Sequence, residues 1–238
     1  MSKKLGIIQS RGLGDIVISI PIAGYFRDEG WEIYWPVLEQ FIPSLKETVP
    51  WVKWIPVPND PIGKFFLEVP MERLKNFKVD EHLPLYQHLT NQPFCDEKYF
   101  QFTKFDQYKY IRAGIPFLHK WKLAEYITRN SEREKKLYDK LITNEKFAVV
   151  HRRGSDFEAN VDLSIIPADW QIVEIEEGHT DCIFDWLTIL EKAQSLILVD
   201  SVFSNLVDQL HIGEDRYFIQ RSHIGLTPVQ GGHWTWLP

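Results

Sequence analysis

Residues 10–15, Ser-Arg-Gly-Leu-Gly-Asp, put a carboxylate just past two glycines, after the short apolar run LGIIQ and before the helix-like run DIVISIPIAGYF. Gly12 and Gly14 relax the backbone sterics of the turn. Asp15 sits where the helix begins. The macrodipole and the exposed N–H groups there favour an ionised carboxylate. An ionised Asp in a cleft can take a proton from an attacking hydroxyl. The same residue can equally serve as a helix cap, and both roles stay open at this point. Arg11 adds a cation beside the turn as a candidate acceptor or nucleic-acid contact.

A second polar cluster is VVHRRGSDF, residues 149–157. It follows an apolar strand-like run. Arg153 and Ser155, with Arg152 beside them, are placed to meet an anion at a strand's carboxyl end, where open α/β sheets bind ligands. Arg makes bidentate contacts to phosphate. The alternatives are a solvated charged turn, and for His151 a hydrogen-bonded strand end. A third cluster is LILVDSVFSNLVDQL, residues 196–210. Asp200 and Ser201 end a strand, and Ser204 and Asn205 open a helix. Hydroxyls and backbone N–H groups there form a phosphate cradle. Helix capping by Asp200 or Ser201 is the alternative.

Residues 98–122 hold six Lys/Arg against one Asp, with eight aromatics. Lys104, Lys109, Arg112, Lys120 and Lys122 would then touch nucleic-acid phosphates while rings stack on bases. The competing reading puts the rings in a core and the lysines in solvent.

These clusters need elements to hold them. KLGIIQ, WEIYWPV and VKWIPVP read as strands, separated by helices over DIVISIPIAGYFRDEG and LEQFIPSLKETV. Alternating strand and helix predicts a parallel sheet with right-handed crossovers. From Asn59 to Gln92 prolines interrupt the pattern, and irregular loops are expected. A charged helix over 121–145 is expected to link two halves. The alternation resumes with strands at KFAVVH, QIVEIE, SLILVD and, last, RYFIQR. The expected domains are 1–120 and 146–238.

The chain has 238 residues, is 44% hydrophobic and 25% charged, and carries a formal net charge of −6, which excludes a molecule that is basic overall. Cys95 and Cys182 lie far apart and form no metal spacing, so a reduced, cytoplasmic setting is expected. Arg11 and Asp15 come too early for a signal peptide. No apolar run is long enough for a membrane span.

The stretch from Arg11 to Pro58 resembles the amino-terminal half of heptosyltransferase-like glycosyltransferases of family 9, which open with a strand, a Ser-Leu-Gly-Asp turn and a Pro-containing helix. GHTDCIFDWLTILEKAQSLILVDSVFSNLVDQL is similar to their carboxyl-terminal signature. His179, Val202 and Asn205 stand where that signature has Lys, Gly and His. HRRGSDF is also similar to the His-x-Arg-Arg-x-Asp loop of fucosyltransferases. The resemblance implies an α/β, GT-B-like fold, two Rossmann-like domains with parallel sheets facing a cleft. It implies an inverting transferase with a nucleotide-diphosphate sugar as co-substrate and no required metal. By position Asp15 matches the catalytic base. Asp200, Ser201 and Ser204 match the donor-phosphate loop, and Thr180 matches the Gly-x-Thr. The expected acceptor is a glycan. A 5-hydroxymethylated cytosine in DNA is the alternative acceptor, and a catalytically silent nucleotide-sugar binder is the alternative function.

Overall fold

The computed structural model describes residues 2–59, 63–86, 103–154, 157–221 and 227–237. The chain divides into two compact units, Met1–Thr128 and Arg129–Pro238.

In the first unit, β1 (Lys4–Ile8), β2 (Glu32–Leu38), β3 (Lys53–Val57) and β4 (Glu81–Pro84) form a sheet in the order β3-β2-β1-β4. All three pairings are parallel. Among the described residues its helices are α1 (Leu13–Asp28), α2 (Ile42–Thr48), α3 (Glu68–Lys75) and α4 (Phe105–Ala113). A 3-10 stretch, Phe117–Glu125, follows. α1 is rich in β-branched residues, which disfavour helix. It forms because Ile16 to Gly24 are all buried, so packing outweighs propensity. Gly24 lies flat against the Tyr126 ring. Glu29 and Gly30, the latter at φ +87°, close the helix.

Three expectations change here. The region after Asn59 contains α3 and a fourth strand, rather than loops alone. β4 is short and polar, so its strand character comes from its register on β1 and from the Lys4 N–H donating to Asp80 Oδ2 at 2.7 Å. The linking helix over 121–145 is not continuous. Lys122 leaves helical geometry, the Thr128 N–H donates to Thr48 O at 2.7 Å, and a new helix, α5 (Ser131–Leu141), starts only after Asn130 caps it. The boundary therefore falls at Thr128/Arg129, not at 120 and 146.

The second unit carries β5 (Phe147–His151), β6 (Gln171–Glu174), β7 (Ser195–Val199), β8 (Asp215–Ile219) and β9 (Thr235–Leu237). The order is β6-β5-β7-β8-β9, parallel throughout. β5 and β7 are fully buried, as apolar runs inside a parallel sheet should be. α6 (Leu187–Lys192) and α7 (Val202–Leu210) precede β7 and β8. β9 was not expected after RYFIQR. Buried Asp208 anchors the segment leading to it, accepting from Gly231 N at 2.8 Å and Trp234 Nε1 at 3.1 Å. Among the described residues no helix is long and apolar enough to cross a membrane.

Candidate functional site

In open parallel sheets, ligands bind beyond the strands' carboxyl ends, where the strand order reverses. In the first unit that point lies between β1 and β4. The chain leaves β1 through Gln9, Ser10, Arg11 and Gly12, so the glycine turn occupies it. In the second unit the reversal lies between β5 and β7, whose ends carry His151 and Asp200-Ser201.

The first turn is built in detail. Gly12 is the N-cap of α1 at φ +79° and makes no side-chain cap bond. A side chain there would place its Cβ 2.5 Å from Asp15 Oδ2. Asp15 therefore sits three residues inside the helix and is not its cap. Instead Asp15 Oδ1 forms an ion pair of 3.0 Å with Lys109 Nζ from α4, while its side chain stays 36% exposed. Lys109 is 3% exposed and also donates to Gln9 Oε1 at 2.6 Å. Gln9 Nε2 donates to Arg11 O at 2.8 Å, and Trp35 Nε1 donates to Gln9 O at 3.0 Å. Gln9 thus uses both ends of its amide, which fixes its orientation. Ser10 Oγ donates to Phe65 O, so the contact of 3.1 Å to Tyr86 has Tyr86 as donor. Tyr86 in turn accepts from the Arg11 N–H at 2.7 Å. Burial pushes the Tyr86 phenol up to about 12, so it stays neutral. Arg11 is exposed, its guanidinium 5.2 Å from the Phe65 ring centroid. Gly14 lies in the first turn of α1.

In the second unit, His151 Nδ1 lies 3.0 Å from Ser201 Oγ. Burial pulls His151 down to about 4, so it is neutral. Ser201 caps α7, accepting from Phe203 N at 3.3 Å, and remains partly exposed. The neighbours expected to bind donor are otherwise engaged. Ser204 is fully buried and donates to Ser201 O at 2.9 Å. Asn205 Nδ2 donates to the same carbonyl at 2.9 Å. Asp200 is 5% exposed. Thr180 donates to Asp185, which also receives Arg133 Nη2 at 2.8 Å. Ser204 and the Asn205 amide nitrogen are thus engaged within the turn, while Thr180 is partly exposed. Arg153 is exposed and lies 3.5 Å from Glu158, whereas Arg152 is partly buried on Glu174 at 2.6 Å. Ser155 and Cys95 lie outside the described residues.

The basic stretch is also rearranged. Lys109 and Lys120 are buried, the first on Asp15 and the second on Asp106 at 2.9 Å. Lys122 lies 3.7 Å from Glu125, and the Lys104 N–H donates to Gln107 Oε1 at 3.0 Å. Arg112 is partly buried. Two of the five expected phosphate contacts are thus withdrawn from the surface. A cavity of about 470 Å³ lies elsewhere, at the starts of β8 and β9 beside Arg216 and Trp234. It lies at the opposite end of the strands from the carboxyl-end residues, away from the switch points. Among the described residues no group of three or more His, Cys, Asp or Glu side chains is placed to hold a metal ion.

No protein-family model and no curated protein matches the sequence. Solved structures do. A family 9 glycosyl transferase from Veillonella parvula aligns at a TM-score of 0.59 and 10% identity, over 99% of this chain and 86% of that one. The E. coli heptosyltransferase WaaC with ADP aligns at 0.52 and 13%, over 98% and 92%. The E. coli ADP-heptose lps heptosyltransferase II aligns at 0.50 and 11%, over 99% and 90%. The chain has the family 9 glycosyltransferase fold. The likeness runs through both units of that GT-B-like fold. Sequence reasoning on this fold missed Gln9, Tyr86 and the pairing of Lys109 with Asp15. His151 was visible as a polar residue ending an apolar strand, but its partner Ser201 lies 50 residues on.

Proposed function

We propose that the chain is an inverting glycosyltransferase using a nucleotide-diphosphate sugar. Asp15 takes the proton of an acceptor hydroxyl. The acceptor oxygen bonds to the anomeric carbon as the bond from that carbon to the diphosphate oxygen breaks. The diphosphate leaves with the electron pair, and Ser201 and Arg153 stabilise its growing charge. A single displacement inverts the anomeric centre. One observation carries the reading: Asp15 is freed from capping and held, partly exposed, at the switch point of a family 9 fold. Binding of ADP by the WaaC structure supports a nucleoside-diphosphate donor. The burial of Lys109 and Lys120 favours a glycan acceptor over duplex DNA.

A thermal-shift panel of nucleotide sugars tests the donor. A ligand at 100 times its Kd adds about 2.7 kcal/mol of stability. Radiolabelled transfer to glycans and to hydroxymethylcytosine DNA then tests the acceptor. Asp15→Asn should keep the donor shift and lose transfer. A wild-type chain that binds donor and transfers nothing is a silent binder, and the transferase reading fails.

A further inference from the structure

Lys109 and Asp15 are 94 residues apart in sequence and 3.0 Å apart in the fold. A buried ammonium is costly unless it is paired and hydrogen-bonded. Lys109 Nζ meets three acceptors: Asp15 Oδ1, Gln9 Oε1 at 2.6 Å and Leu85 O at 3.4 Å. An ammonium has three donors, so none is left for a ligand. Its position is fixed from two sides. Gln9 is held through Trp35 and the Arg11 carbonyl, and the Tyr86 and Phe105 rings lie 5.9 and 5.7 Å from Nζ.

We propose that Lys109 is a positioning residue for the transfer reaction, which turns Asp15 so that Oδ1 is occupied and Oδ2, beside Gly12, receives the acceptor proton. This rests on the transferase reading above. Lys109 supplies the counter-charge to Asp15. Among the described residues, neutral Tyr86 is the titratable group that faces the pair, and the Arg11 N–H donates to it at 2.7 Å. Gly12 then has two roles. It takes a backbone angle a side chain disfavours, and it leaves room for Oδ2.

Two measurements test this. In a lysine-¹⁵N NMR spectrum, Lys109 and Lys120, the buried lysines among the described residues, should give ammonium signals protected from solvent exchange. Asp15→Asn should shift the first and leave the second, which pairs with Asp106, in place. If neither signal responds, the ion pair is absent and the proposal falls, whatever the chain catalyses. Lys109→Met should lower kcat by roughly 100-fold, the cost of a misplaced catalytic group, with donor KM nearly unchanged. Lys109→Arg, which keeps the charge, should recover part of it. An active wild type with an equally active Lys109→Met overturns the positioning role alone. A confirmed ion pair in a chain that transfers no sugar overturns the transferase reading and the role with it.

Discussion

Lys120 and Asp106 are each fully buried and 2.9 Å apart, with the ammonium 5.8 and 5.5 Å from the Phe117 and Trp121 rings. Asp106 Oδ1 also accepts from Gln107 N at 3.0 Å. Breaking a buried ion pair by truncating one member costs about 3–5 kcal/mol. Lys120→Met and Asp106→Leu should each lose that much. At roughly 2–4 °C per kcal/mol for a chain of this size, Tm falls by about 6–20 °C. The double variant replaces two charges by apolar groups, and Met packs against the same two rings. It should lose clearly less than the two single losses added together, since apolar replacement of both members of a buried pair removes the two charges at once. Urea unfolding of the four proteins, with matched thermal scans, reads the cycle. Single costs below about 1 kcal/mol, or a double variant whose loss is the sum of the singles, would refute a desolvated pair. Low single costs would also return Lys120 to the surface as a candidate phosphate contact.

Burial holds His151 near 4 in the folded protein, below its ordinary 6.5, so the unfolded chain takes the proton first as pH falls. Its contribution is intact above about pH 6.5 and is lost towards pH 4, by up to roughly 3 kcal/mol. His151→Gln should flatten that part of a urea-unfolding pH series, and an unchanged slope contradicts it. Gly12→Ala forces a side chain onto φ +79° and against Asp15, and should lose about 1–3 kcal/mol of stability. An unaltered urea midpoint would remove the steric argument. Arg153→Ala should weaken nucleoside-diphosphate binding by about 1.5–3 kcal/mol, and calorimetry showing equal affinity would take Arg153 out of the donor site.

The parallel core was legible where strands are buried on both faces. β1, β5 and β7 are apolar runs, and no other packing suits them. β4 and β9 were not legible, because four mostly polar residues and three residues are too few to carry a pattern of their own. Their strand character comes from neighbours, β1 for one and β8 for the other. The helix expected over 121–145 failed for a local reason. Its charge pattern suits a helix throughout, but Asn130 accepts from Arg133 N and starts the helix late. Arg129 and Arg133 then bind Glu191 and Asp185, tying the new helix to its own unit.

The candidate site shows the same division between local and distant information. Whether Asp15 caps a helix or faces a substrate turns on where the helix begins. Both glycines permit the turn, so composition alone leaves the start open by a few residues. Gly12 as N-cap puts Asp15 in the first turn with its side chain free of the cap. That much depends on six consecutive residues. What makes the carboxylate useful depends on Lys109, whose neighbours Tyr108 and Tyr110 are buried with it. A lysine among aromatics reads equally as a grip on nucleic acid or as a buried charge. Only a carboxylate brought within 3.0 Å by the fold decides between them. Lys109 is thereby turned inward, as the partner of the proposed base and not as a contact for a polymer.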